Sequence, residues 1–357
     1  MFKKNRKIYF GIVLVLVFSI LLGINAIANE KPIVLKLADT TAPVGLRGNG
    51  TLFFIEEIEK HTSGKVKIEP YWGSSLLKGK EILKGIQDRV VDMGFVLPEY
   101  YSKEMPIHSI FNLFPQGPID FNIAYELYFK IFEEIPEFTA ELESFNQKLV
   151  YLNMQLCMAV VSNKPFTSFE DFRGKKIRAS SRWVLGMLKG AGAVPVSVPW
   201  GDCYMALSTG SIDGVATNLD GEHRTKLDEP APNVFIMREI WMATPLMYTI
   251  NLDVWNSLSK DIQDGLMVAG KAASKRFAEL YTNELNQVTS EQKEQGAIVI
   301  YASKEDIEKW VNMDIVADQQ EQWVKEAEEI GIKNAAQIME RMKEVINEAI
   351  EKEKTQS

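Results

Sequence analysis

Apolar positions along this chain switch repeatedly between two rhythms, unbroken or alternating runs that suit strands and a three-to-four spacing that suits helices. Ile33-Val-Leu-Lys-Leu-Ala38 has the pattern of a buried parallel strand and ends at Asp39-Thr40-Thr41-Ala42-Pro43. From Thr51 to His61, Leu52, Ile55 and Ile58 share one face while Glu56, Glu57, Glu59 and Lys60 lie elsewhere, which predicts an amphipathic helix. Thr62-Ser63-Gly64 stops it. Val66 to Trp72 alternates as a second strand, Leu77 to Asp88 reads as a helix, and Val91 to Leu97 as a third strand. The unit is β-α-β-α-β, the start of a parallel sheet.

The next segment, Pro98 to Pro118, has four prolines among aromatic residues and predicts a mobile or cleft-lining loop. Phe121 to Glu141 reads as helix, and Leu149 to Leu152 and Met158 to Val161 as strands crossing into a second half. From Asn163 to Asn218 the pattern repeats strand, helix, strand, helix, strand. Glu222 to Pro232 is charged and predicts surface. Phe235 to Trp241 and Leu246 to Leu252 are further strand candidates, with Pro245 arguing against one unbroken strand. Ser259 to about Gln295 lacks proline and predicts a helix on the order of 50 Å long at 1.5 Å per residue. Ala297 to Tyr301 is a late strand, and the remainder is helical and charged. The fold class is therefore α/β, and 357 residues suggest two lobes, not one core.

Composition changes this picture at one end. Lys3, Lys4, Arg6 and Lys7 precede an apolar run from Ile8 to Ile24 and then Ala26-Ile27-Ala28, the order of a cleavable export signal over residues 1–28. An uncleaved anchor is the rival reading, because the run is about as long as the shortest spanning helices. The whole chain has a formal charge of −8, and removal of four basic residues leaves 36 basic against 48 acidic, or −12. An acidic exported protein is a poor partner for nucleic acid or anionic lipid. The two cysteines, Cys157 and Cys203, lie in apolar patterns and read as buried thiols.

Candidate chemistry concentrates where strands end. Arg178 follows the apolar Ile177 and precedes Ala179 and Ser180, at a strand end where a guanidinium can hold a carboxylate by two parallel hydrogen bonds. A structural ion pair would explain the same position. Trp200 suits either a core or a wall stacking on a ligand, and Thr217 and Asn218 suit either a turn or polar ligand contacts. His61, His108 and His223 have no metal-ligand spacing, and no nucleophile elbow, phosphate loop or dinucleotide fingerprint occurs. No catalytic residue, metal or cofactor is expected.

Several ordered motifs together carry a resemblance. Lys164-Pro165-Phe166, Asp171-Phe-Arg-Gly-Lys-Lys-Ile-Arg178, Gly192-Ala193-Val-Pro195, Tyr204-Met-Ala-Leu-Ser-Thr-Gly210 and Ile212-Asp-Gly214 are similar to the extracytoplasmic solute-binding proteins of tripartite ATP-independent periplasmic (TRAP) transporters, the DctP family. Thr62-Ser-Gly-Lys-Val66, Leu76-Leu77-Lys78, Val91-Asp92-Met93 and Asn251-Leu-Asp-Val-Trp255 extend the match over nearly the whole chain.

The resemblance implies a two-lobe binding-protein fold with a sheet in each lobe and a long helix spanning both. It divides the chain into residues 29–153 with about 244–287, and 154–243 with about 288–357. It implies a monomer that closes on one small organic acid and delivers it to an ion-gradient-driven membrane permease. Arg178 matches the arginine that pairs with the ligand carboxylate, Trp200 an aromatic beside the ligand, and Thr217 a position where asparagine is common. Asp39 and Thr40 match a contact loop of the first lobe, and Ser181 a polar position past the arginine. Trp72 and Lys78 complete the candidate set, with the Lys78 amine at the cleft rim. The family's second arginine is absent, with Cys157 at its position, and Ala216-Thr217 replaces the Glu-Trp pair of 2-oxoacid binders. A monocarboxylate is therefore favoured. A sensory receptor is the alternative function, and a secreted enzyme a weaker one, needing Asp39, Glu99 or His108 near Arg178.

Overall fold

The structure, a computed structural model, describes residues 31–356; the expected export signal lies outside the described residues. Nine strands appear among these residues: β1 (Ile33–Ala38), β2 (Val66–Tyr71), β3 (Met93–Val96), β4 (Gln147–Ser162), β5 (Lys176–Arg178), β6 (Val194–Val196), β7 (Gly214–Asn218), β8 (Asn233–Asn251) and β9 (Ile298–Tyr301). They pair in the order β2-β1-β3-β8-β4-β7-β5-β6, with β9 also on β8. β1 is parallel to β2 and β3, and β5 is parallel to β6 and β7. Each trio is a short parallel sheet whose first strand lies in the middle. One trio belongs to each half of the molecule.

Two long antiparallel strands join the halves. β4 and β8 pair through Leu152 and Met247 in the first half and through Val160 and Phe235 in the second. The sequence pattern predicts a break in each, and the structure has none. Pro245 is accommodated because β3 ends at Val96, opposite Met247, so at Pro245 only β4 lies alongside the strand. Between the halves the register jumps: Cys157 faces Trp241 and the next residue, Met158, faces Met237. Arg238, Glu239 and Ile240 are thereby looped out of the ladder, a bulge that re-aims the strand between the lobes.

Helix Lys260–Glu294 forms as the uninterrupted pattern predicts, 35 residues long. Its first half packs Ile262, Leu266, Ala269 and Ala273 into the core beneath β1, β3 and β8, and Val288 enters the core of the second half. Gly270 permits its closest approach. A β-carbon there would stand 1.7 Å from the Val150 carbonyl oxygen, and Ser274 Oγ donates to the Leu152 carbonyl at 2.6 Å one turn on.

Three segments depart from the pattern. Pro98 to Leu113 is a set of short helical turns, Pro98–Tyr101, Pro106–Ser109 and Ile110–Leu113, because Pro98 and Pro106 each open a turn at the position where an N–H would have no partner within it and its loss costs nothing. Phe111 stacks on Tyr128 with centroids 4.7 Å apart, so most of this segment is core and not mobile loop. The charged stretch from Glu222 is superficial only in part: Thr225, Lys226 and Glu229 are exposed as expected, whereas Glu222, His223 and Asp228 are buried with polar partners, His223 bonding Asp228 and Glu291 and Glu222 accepting from Gln292. Finally, helix Ala335–Gln356, expected with the second lobe, lies against helix Phe121–Glu134. Ile338, Met342, Val345 and Ile346 share a core with Phe121, Leu127 and Tyr128, and Arg341 pairs with Glu134 at 2.6 Å. Apolar spacing identifies that helix but not the face it covers.

Candidate ligand-binding site

In an open parallel sheet, ligands collect outside the carboxyl ends of strands at the point where strand order reverses. This chain has two such points. One lies between the ends of β1 and β3, the other between the ends of β5 and β7. A cavity of about 430 Å³ separates them. The first half contributes Thr40–Ala42, Val44–Arg47, Phe95 and Glu99–Tyr100, the second contributes Arg178, Ser180, Trp200, Thr217–Asn218, Asp220–Gly221 and Arg224–Thr225, and Thr244 and Leu246 come from the crossing strand β8.

Arg178 ends β5 and is 3% exposed. Its Nε–H donates to the Val198 carbonyl at 2.9 Å, which orients the guanidinium, and its carbon lies 5.5 Å from the centroid of the Trp200 ring. Among the described residues no Asp or Glu comes within 4.0 Å of it, and its two terminal nitrogens have no hydrogen-bond partner. The other cations in the wall are committed. Arg47 donates to Asp39 at 3.2 Å and lies 4.1 Å from the Phe95 centroid; Arg224 is held by Glu284 at 2.8 Å and Glu291 at 2.5 Å. That contact with Arg224 holds the Glu291 carboxyl down at about 2.

The polar wall is equally defined. Thr217 Oγ1 donates to Asn218 Oδ1 at 3.2 Å, and Asn218 Nδ2 donates to Asp220 at 2.6 Å. Burial pushes the Asp220 carboxyl up. Burial likewise raises the Tyr100 phenol, with the nearby Arg178 charge pulling the other way. Among the described residues no cluster of metal-ligating side chains occurs.

Of the residues singled out from sequence, Arg178, Trp200, Thr217, Asn218 and Thr40 come together in this wall. Four do not. Asp39 is fully buried behind the wall, accepting the Thr41 N–H at 2.9 Å, Arg47 at 3.2 Å and the Tyr248 hydroxyl at 2.8 Å, so it supports the loop instead of facing the cavity. Ser181 is 1% exposed and caps helix Arg182–Gly190 by accepting the Trp183 N–H at 3.3 Å. Trp72 and Lys78 lie outside the cavity, the tryptophan half-buried and the lysine exposed after the turn that follows β2.

Comparison with known proteins settles the family. The profile of bacterial extracellular solute-binding protein, family 7, matches residues 37–325, most of the chain. The chain belongs to that family. As a family 7 solute-binding protein it is a binding component of transport and not an enzyme. A solute-binding protein of Albidiferax ferrireducens is 30% identical over 260 residues, covering 72% of this chain and 75% of the relative. The C4-dicarboxylate-binding periplasmic protein of Rhodobacter capsulatus is 28% identical over 295 residues, 79% of this chain and 83% of its own. The crystal structure of a TRAP periplasmic solute-binding protein from Rhodoferax ferrireducens with bound malonate superposes with a TM-score of 0.76 at 25% identity, covering 88% of this chain and 99% of that one.

The site of this solute-binding protein also contains residues that sequence reasoning passed over: Arg47, Phe95, Tyr100, Ser180, Thr244 and, considered only as a catalytic group, Glu99. Glu99 and Tyr100 follow the end of β3, so the strand-end rule applied to Arg178 would have found them too. Thr244 had no such signal, because β8 read as broken beside it.

Proposed function

We propose that this protein is the extracytoplasmic receptor of a TRAP transporter. It takes a small organic acid into the cavity between its halves, pairs the ligand carboxylate with Arg178, and presents the loaded form to an ion-gradient-driven membrane permease. The observation that carries this reading is the state of Arg178: buried, oriented by Val198, in the cavity wall, and without a carboxylate partner among the described residues. A buried guanidinium left unpaired is costly, and a ligand carboxylate with two parallel hydrogen bonds offsets that cost. The names of the relatives agree in ligand class, since one binds C4-dicarboxylates and another carries malonate. Periplasmic relatives and the export-signal pattern over residues 1–28 support a site of action outside the cytoplasm.

The test is a thermal-shift screen of the protein, unfolded and refolded to strip any bound solute, against small mono- and dicarboxylates. A ligand at a hundred times its dissociation constant adds about 2.7 kcal/mol, a rise of several degrees in Tm. A cooperative melt that no carboxylate shifts would overturn the reading.

A further inference from the structure

The cavity has a second pole opposite in sign to the first. Glu99, just past the end of β3, lines it and is 8% exposed. Its Oε1 accepts from the Thr244 hydroxyl and from Asn112 Nδ2 at 3.3 Å, and its Oε2 accepts from the Ser180 hydroxyl. Those donors come from the crossing strand, from the helical turn Ile110–Leu113 and from the end of β5, so Glu99 is fixed from three sides. All three donors are neutral. No Lys, Arg or His among the described residues comes within 4.0 Å of it. A carboxylate offers about four lone-pair sites. Three are taken here, and the open one is on Oε2, the oxygen bonded to Ser180, two residues from Arg178.

A buried carboxylate surrounded only by neutral dipoles is an expensive group to keep unless something positive or hydrogen-donating meets it. The described residues supply no such group at this place: Arg47 is committed to Asp39, and Arg224 to Glu284 and Glu291. The other acid in the wall, Asp220, has its donor in Asn218. Among the described residues the cavity wall thus carries one cation without a carboxylate partner, Arg178, and one acidic side chain with an open acceptor site, Glu99. A second carboxylate on the ligand would add negative charge beside Glu99, with no free cation to receive it.

Building on the pairing of a ligand carboxylate with Arg178, we propose that Glu99 is a specificity-determining residue, selecting a ligand with a single carboxylate and an N–H donor at its other end. That donor is an ammonium, an amidine or a cyclic amide N–H; its hydrogen fills the open acceptor site on Oε2. Dicarboxylates are excluded by charge instead of size.

The experiment compares matched ligands by calorimetric titration of the refolded protein. Pyrrolidine-2-carboxylate is paired with oxolane-2-carboxylate, which sets a charged ring NH2+ against oxygen, and the 5-oxo forms of both are paired likewise, which sets a neutral amide N–H against oxygen; 3-aminopropanoate is paired with butanoate. Malonate and succinate serve as dianions. The wild type is expected to bind at least one nitrogen member tenfold or more tighter than its partner and than either dianion. Glu99→Gln, which keeps the side chain's shape, is expected to shrink both preferences to within about threefold.

Equal affinity within every pair, tighter binding of a dianion, or an unchanged preference in Glu99→Gln overturns the role of Glu99 while leaving the Arg178 pairing standing, because carboxylates still bind. Failure of every carboxylate overturns the Arg178 pairing and this selection with it. The wild-type comparison needs no variant, so a poorly folded Glu99→Gln leaves the outcome decided.

Discussion

The guanidinium carbon of Arg178 lies 5.5 Å from the centroid of the Trp200 ring, while its Nε–H is tied to Val198 at 2.9 Å. Ring and carbonyl together hold the guanidinium in one orientation and keep its terminal nitrogens toward the cavity. Trp200 itself is only half-buried, so it acts as wall and not as core. Loss of the ring removes a cation–π contact of about 0.5–2 kcal/mol and apolar area against the ligand. Trp200→Ala is expected to weaken ligand binding roughly tenfold to a hundredfold, while the melting temperature without ligand stays close to wild type. Calorimetric titration and a melt on the same sample check both. A variant that unfolds would make Trp200 a core residue after all.

A second expectation concerns the buried charges behind the site. Burial pushes the Glu222 carboxyl well above its usual range, with Asp228 and Asp220 adding to the effect, and its Oε2 has no partner. A raised carboxyl pKa means that the folded state holds the proton more tightly than the unfolded chain. The associated stability is present in full below the unfolded value, about 4.3, and declines as pH rises through the higher folded value. Glu222→Gln cannot lose a proton. Its stability relative to wild type should therefore increase from acid toward neutral pH, read as the difference in Tm across a pH series; a constant difference would contradict the assignment.

The long helix is seated through Gly270. A methyl group at that position meets the Val150 carbonyl oxygen at 1.7 Å, a rigidly held β-carbon against backbone. Gly270→Ala must move the helix off β4, an overpacking cost of about 1–3 kcal/mol or more. We expect a drop in Tm of several degrees. Ligand affinity should change less than stability, because Gly270 lies away from the cavity lining.

Much of this fold could be read from the sequence, and the failures share a cause. β1 matched its apolar run residue for residue, and Arg178 and Thr217–Asn218 stand in the cavity wall at strand ends, where parallel sheets bind ligands. Pro245 misled because a strand's tolerance of proline depends on whether neighbours lie on both sides or on one, which only the sheet order reveals. Glu222 and His223 read as surface because their partners, Gln292 and Glu291, lie about seventy residues away on the long helix. Glu99 was visible as a charge but not as a buried one. Its three donors, Asn112, Ser180 and Thr244, come from separate parts of the chain. Asp39 and Ser181, expected from the resemblance in a contact loop and past the arginine, turn inward to support the loop and cap the helix.

Pairing of Arg178 with the ligand's carboxylate is tested by calorimetric titration of Arg178→Ala beside wild type, using whichever carboxylate shifts the wild-type melt. Removing one partner of a buried, hydrogen-bonded charge pair costs about 2–5 kcal/mol. The account predicts a loss of roughly 30-fold to several thousandfold in affinity, in a protein that still melts cooperatively. Unchanged affinity in the folded variant would contradict it and leave Arg178 a structural residue of the cavity wall.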